Sequence, residues 1–522
     1  MKKYLYLCLA ITALFSQWSS SPENPIIMGS GIQPQMAASS DGSLFIAWLN
    51  DSNFHVYLQL LNSEGIAQFN DDGLLVSNHP NETWIAVFHL NLAIDSEGNA
   101  ILSFVDTRTG FWNAFAYKIS PNGDFLWGVD GIQLSFNNTG NISPRVTVLP
   151  DNSTVVSWDE NFSIIHAQRI TPDGTLTWGP NGIIISDTGA SLVNPNSIMS
   201  DDGNLLLRWI RKTGPYWSPT SEILTQKYDS SGNTLWTIPA PITGQVSFPM
   251  GNWHQRLESD QANGSYSAWT AMTTNSQSGF AQRTDPDGVI MWEQGVELST
   301  QSDHFRTNPT ISVSQESHEM TAVWTQANGA QNQHGIYAQR LSMEGTRQWG
   351  NNGLPAVALN TQYSYLDLAT SSVDEDAIAV YIRQTSSMQG DLFAFRLNPS
   401  GELVWDSSNI QITTSGVSKS DATIIPGPGC VFITWVESGD IRAHCLRTDG
   451  TLGAPLVEEE CIADGDVNFD GYTNVLDIVS VVNFIVGLQN PTPDQICAAD
   501  LNSDDSINVL DIVIIVNMIV GG

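Results

Sequence analysis

The chain has 522 residues, with 20 Lys and Arg against 54 Asp and Glu, a formal charge of −34. Cations this sparse exclude nucleic acid and acidic membranes as partners, because phosphate contacts need clustered positive charge. The length exceeds that of one ordinary compact domain.

The chain starts Met1-Lys2-Lys3, runs apolar from Tyr4 to Phe15 and turns polar at Ser16–Ser21. A basic start, a short apolar stretch and small residues after it are the layout of a secretory leader. The apolar stretch is too short to span a bilayer. Residues 1–20 are therefore set aside as a signal peptide, with Trp18 in or beside it. The mature chain is expected outside the cell, secreted or at the cell surface, with no transmembrane anchor.

From Asn24 to about Val457 the sequence repeats itself, and three markers show it. An aromatic closes an apolar run at Trp48, Phe104, Trp158, Trp209, Trp269, Trp324, Tyr381 and Trp435, at intervals of 51 to 60 residues. A Gly has an aromatic four residues on: Gly65/Phe69, Gly123/Trp127, Gly174/Trp178, Gly232/Trp236, Gly288/Trp292, Gly345/Trp349 and Gly401/Trp405. The eighth copy keeps Gly450 but has Ala454. Six residues before that Gly stands Gln59, Gln168, Gln226, Gln282 or Gln339, with Tyr117, Phe395 and His444 in the other copies. Each copy reads as four short strands rich in β-branched and aromatic residues, punctuated by Gly, Asp, Asn and Pro. The predicted body is all-β, an eight-bladed β-propeller of four-stranded blades over residues 24–457. Asn24–Met28 reads like the last strand of a copy and is expected to complete the final blade. Seven blades plus a degenerate unit is the alternative. The segment Thr171-Pro-Asp-Gly-Thr-Leu-Thr-Trp178 resembles the Asp-box hairpin of sialidase-type propellers, one residue shorter, which speaks to hairpin geometry and not to activity.

Of the 17 Trp, 12 belong to the markers and are expected to pack between blades. Outside the markers and the leader, Trp84, Trp112, Trp217 and Trp253 fall in loops that share one propeller face, and Phe111 and Tyr216 sit beside two of them. Exposed rings there would suit a sugar or a protein partner; the alternative is that they pack their own loops. Asp106, Asp159 and Glu437 follow the first marker, and a pair of them at that face could serve glycoside hydrolysis. Cys430 and Cys445 flank the turn Glu437-Ser-Gly-Asp440, and Cys461 and Cys497 each precede an acidic loop. Bridges Cys430–Cys445 and Cys461–Cys497 are expected, with four free thiols as the alternative.

The tail holds two copies of one pattern 34 residues apart. The first places Asp466, Asn468, Asp470, Tyr472, Asn474 and Asp477 at positions 1, 3, 5, 7, 9 and 12 of a loop, with Gly471 at the sharp turn. The second repeats it with Asp500, Asn502, Asp504, Ser506, Asn508 and Asp511. Hard oxygen ligands in this order suit calcium, one ion per loop, with position 7 offering its backbone carbonyl. Each loop runs into a predicted helix, Val475–Val486 and Val509–Val520, ending at Gly487 or Gly521. The pair, within residues 461–522, resembles a type I dockerin. That resemblance implies calcium-dependent docking onto a cohesin-bearing partner in extracellular polysaccharide breakdown. Cellulosomal dockerins often carry Ser-Thr at loop positions 10 and 11; here Val475-Leu476 and Val509-Leu510 stand there, implying a more apolar partner surface.

The combined expectation is a secreted, non-catalytic binding or scaffold protein whose propeller recognises an extracellular glycan or a protein. No nucleophile elbow, zincin or phosphate-loop motif is present. The alternatives are a glycoside hydrolase or other polysaccharide-degrading enzyme with its site on the propeller face, and a structural surface protein.

Overall fold

The computed structural model describes residues 18–79, 90–215, 218–249, 256–273, 276–455, 463–502, 504 and 506–521. The leader, residues 1–17, lies outside them, as do Trp84, Tyr216, Trp217, Trp253 and Cys461. The chain divides into two units at Pro455/Leu456.

The first unit is a propeller of eight antiparallel four-stranded sheets. Blade three is representative: Asn141–Val148, Thr154–Glu160, Ile164–Ile170 and Ile183–Ile185, from the axis outward. Each innermost strand packs against the next, and that of blade eight, Lys419–Gly427, packs against that of blade one, Ile32–Ala38. The ring is thereby closed, which removes exposed sheet edges around the axis. The outermost strand of blade eight is Ile26–Ser30, paired with Asp440–Arg447, as expected from Asn24–Met28.

The sequence markers now have physical roles. All eight first-marker aromatics are buried. Several stack on a ring of the third strand, Trp48 on Tyr57, Trp158 on His166 and Trp269 on Phe280. The second-marker aromatic of one blade lies under the Gly of the next. A Cβ added at Gly288 would come 2.6 Å from Trp236, and one at Gly345 2.9 Å from Trp292. The indole N–H then donates to a carbonyl of the neighbouring turn: Trp127 to Pro172 (3.1 Å), Trp236 to Pro286 (2.9 Å), Trp349 to Pro399 (3.0 Å). The marker Gln ties this turn to its own sheet. Gln339 donates to the Gly350 carbonyl at 2.6 Å and accepts the Trp349 N–H at 2.9 Å.

The degenerate eighth copy is completed from the other end of the chain. Gly65 of blade one is covered by Trp18, at 2.9 Å from a built Cβ, where an aromatic at 454 would be expected to serve. Trp18 is 3 % exposed and packs on Phe432. Expected in or beside the leader, it packs on the body.

A further device was not read from sequence. The residue after the marker Gln, or after its substitute, is a cation in six blades, and each pairs with a carboxylate on the inner hairpin of its own blade. Examples are Lys118–Asp95 (2.8 Å), Arg283–Asp260 (2.7 Å), Arg340–Glu319 (2.6 Å) and Arg396–Asp376 (2.6 Å).

The second unit has three helices: α1 Val475–Ile485, α2 Pro493–Ala499 and α3 Val509–Gly521. Helix α2 was not anticipated; Thr492 caps it through a box with Gln495, and Pro493 opens it. Val467, Val481, Ala498, Ala499 and Ile515 form a small core.

Candidate functional site

In the second unit both loops adopt the same geometry. The Asp477 carboxylate accepts the N–H groups of Asn468 (3.0 Å) and Asn474 (2.8 Å); that of Asp511 accepts those of Asn502 (3.4 Å) and Asn508 (2.9 Å). Both aspartates are fully buried, although carboxylates seldom are unless paired. Asp466 accepts from Gly471 at 2.7 Å and Asp470 from Tyr472 at 3.0 Å, and Gly471 takes the left-handed turn at φ +85°. Asp500 accepts from Asp504 and Asp504 from Ser506, as Asp466 does from Asp470 and Asp470 from Tyr472. Asn474 and Asn508 accept from Leu476 and Leu510 two residues on, and Asn474 caps α1. The donor set of carboxylate, amide and carbonyl oxygens fits a hard cation of calcium type. Among the described residues no group of three or more His, Cys, Asp or Glu is close enough to hold a metal.

Val475, Leu476, Val509 and Leu510 are 62, 60, 63 and 59 % exposed. Val479 and Val482 extend the apolar stripe on α1, and Val513 and Val516 extend it on α3. Each helix thus turns one apolar face inward and leaves another uncovered within its unit.

On the propeller, the three candidate carboxylates belong to blades two, three and eight, and no hydrogen bond or ion pair joins any two of them among the described residues. Asp106 is paired with Arg108 at 2.6 Å. Glu437 accepts from the Trp435 indole at 3.2 Å and lies 3.3 Å from Lys419. Burial would raise its carboxyl, but the indole and Lys419 outweigh burial and hold it below the usual range. It lines a cavity of about 240 Å³ with Arg442 and Pro22. Asp159 alone is shifted the other way, pushed up to about 7 by burial against weaker hydrogen bonds from Asn194 and Phe162.

Of the aromatic pair in blade two, Phe111 is exposed, while Trp112 is packed against Val105 and Ile142. The ring of Trp112 therefore seals the junction of blades two and three. Cys497 is disulfide-bonded. Cys430 and Cys445 are buried free thiols, so the bridge expected between them is not formed. Cys430 stands opposite Arg447 and Cys445 opposite Phe432, which makes the cysteines diagonal neighbours. Disulfides need Cβ atoms about 3.5–4.5 Å apart, and diagonal cross-strand positions are about 7 Å apart.

No curated protein matches the chain. Among solved structures, the propeller of Dos1 is 9 % identical, covers 81 % of this chain and 94 % of its own, and has a TM-score of 0.47. An ulvan lyase of a polysaccharide lyase family is 8 % identical, with coverage of 82 % and 96 % and a TM-score of 0.43. An α-L-arabinofuranosidase from Fusarium graminearum is 10 % identical, with coverage of 59 % and 93 % and a TM-score of 0.34. Likenesses of this size say nothing about activity. No helix among the described residues is long and apolar enough to cross a membrane. The tail is the part with a family: residues 464–520 match the model of the dockerin type I domain, the module to which its duplicated oxygen-ligand loops and their helices correspond.

Proposed function

We propose that this is a secreted binding component of an extracellular assembly. The propeller recognises a glycan or a protein, and the C-terminal unit binds two calcium ions and docks onto a cohesin-type partner. The observation that carries the reading is the dockerin match over 464–520, together with two loops of equivalent geometry. Asp466, Asn468, Asp470, Tyr472, Asn474 and Asp477 hold one ion; Asp500, Asn502, Asp504, Ser506, Asn508 and Asp511 hold the other. Val475, Leu476, Val509 and Leu510 form the docking contacts, which calls for a cohesin with an apolar face. The test is capture of the full chain on a cohesin panel with calcium and with chelator. Binding in calcium that is lost in chelator supports the reading; no capture on any cohesin removes it.

A second reading, a polysaccharide-degrading enzyme, is favoured by one observation. Asp159 is held near neutral pH by burial, in the range a general acid needs. Release of reducing ends from a polysaccharide panel, abolished in Asp159→Asn, would establish it. Retention on a polysaccharide without product supports the binding reading.

A further inference from the structure

The innermost strands place one residue of each blade at the same level, opposite the position before the first-marker aromatic. In blades one, two, four and six this residue is Gln35, Asn91, Asn196 or Thr310. In blades three and five it is Arg145 and Arg256. Between them, on the second strand of blade four, Arg208 takes a position that is Ala47, Ser103, Ser157 or Ala268 elsewhere. Its Nη1 donates to the Arg256 carbonyl at 2.5 Å, which brings it to the innermost strand of blade five. Three of the chain's 20 Lys and Arg therefore gather in one quarter of the channel wall, in a molecule of charge −34.

Arg145 and Arg256 differ from the scaffold cations. The paired Lys and Arg of the third strands each have a carboxylate on their own hairpin. Arg145 and Arg256 have no side-chain hydrogen bond and no ion pair among the described residues, and the Nε of Arg256 is buried without a partner. Burial depresses all three, and repulsion from neighbouring arginines adds to it at Arg145 and Arg208: Arg145 to about 10, Arg208 to about 9, and Arg256 in the same direction. Arg145 and Arg208 remain charged at neutral pH. The acid acting on Arg208 and Arg256 is Glu258, two residues from Arg256 on the same strand, one carboxylate against three guanidinium groups. Arg145 and Arg256 keep some contact with water, and Glu258 is exposed, so the wall is reachable. Across the ring, blades seven and eight present Asp367 and Asp421 at positive-φ bulges of their innermost strands. The channel is thus cationic on one side and acidic on the other.

We propose that the channel wall of blades three to five is an oxyanion site, at which Arg145, Arg208 and Arg256 take a carboxylate or sulfate group of an acidic glycan. The guanidinium groups of Arg145 and Arg256, which have no ion pair among the described residues, are matched by the planar, charged oxygen pairs of such groups. Naming a glycan rests on the binding reading of the propeller; the oxyanion site does not. The acidic far wall orients the ligand, since it repels the same group.

The test uses the full chain with calcium, and titration calorimetry with oligogalacturonate, inorganic sulfate and neutral cello-oligosaccharide. The variants are Arg145→Gln and Arg256→Gln, because Gln35 already occupies this level in blade one. The wild type is expected to bind oligogalacturonate or sulfate, with at least a tenfold loss in each variant. Melting temperatures should hold or rise, because like charges have been removed. Arginine-dependent sulfate binding with no oligosaccharide binding upholds the oxyanion site and removes the glycan. Binding of neutral oligosaccharide alone, equal in the variants, overturns the oxyanion site and leaves the glycan reading standing. A lowered melting temperature with unchanged anion binding assigns the arginines to structure and overturns the proposal.

Discussion

The propeller and the tail are both built by repetition, and they spend it differently. In the propeller the repeated side chains are buried and each grips the next copy, as Trp236 does beneath Gly288. In the tail the repeated residues are loop oxygens and exposed apolar side chains, such as Val475 and Val509. Repetition in the body encodes closure of a ring; repetition in the tail encodes ligands and a surface. A repeat that holds its neighbour tolerates loss of one member only if another part of the chain supplies it. Trp18 does so for the eighth copy.

This comparison breaks most directly at the blade junctions. Trp349→Ala removes a buried ring and its 3.0 Å bond to Pro399, and should cost about 3–5 kcal/mol in denaturant unfolding. Trp18→Ala should cost a similar amount although it lies far from the other markers in sequence. A cost near zero would show that the ring closes without it.

Calcium comes next. Asp466→Ala with Asp500→Ala should abolish calcium-dependent stabilisation of the tail, worth about 3 kcal/mol at a hundredfold excess over Kd. Scanning calorimetry should show the propeller transition unmoved. A tail transition equally sensitive to chelator in the variant would remove these ligands from the site.

Gly288→Ala places a Cβ at φ +81° and 2.6 Å from Trp236, and should cost about 1–3 kcal/mol. The same change at Gly110, where φ is +86° but nothing lies within 4 Å, should cost less. Equal costs would mean that the left-handed backbone, and not the inter-blade contact, makes Gly necessary.

The smallest effect concerns pH. Burial would raise the Glu375 carboxyl, but hydrogen bonds from Ser314 and Ser317 and from Arg340 bring it down to about 2. A depressed carboxylate stabilises the fold above its unfolded pKa, and that contribution is lost as pH falls from about 4.5 toward 2. Since the group is a quarter exposed and solvent screens its interactions, the expected loss is only about 1 kcal/mol. Glu375→Gln should flatten the acid limb of the stability profile by that amount.

Much of the fold was legible because its signals are local. Gly four residues before an aromatic, alternating apolar runs and oxygen ligands at fixed loop positions act within one hairpin or one loop. The Cys430–Cys445 bridge failed because flanking a turn does not set register, and a two-residue offset turns an opposite pair into a diagonal one. Asp106, Asp159 and Glu437 occupy similar positions in different blades and acquire different neighbours there. Arg108 pairs with one and Lys419 with another, while at the third burial outweighs the hydrogen bonds it accepts.

By itself, the sequence determined the eight copies, their strand order and hairpins, the two oxygen-ligand loops and the helices after them, since periodicity and turn chemistry specify these within a few residues. Only the tertiary structure decided how the ring closes, which cations serve the scaffold, and that Arg145, Arg208 and Arg256 meet on one channel wall. These outcomes depend on the register of strands about 50 to more than 400 residues apart, such as Gly29 opposite Ile441, and no local pattern records it.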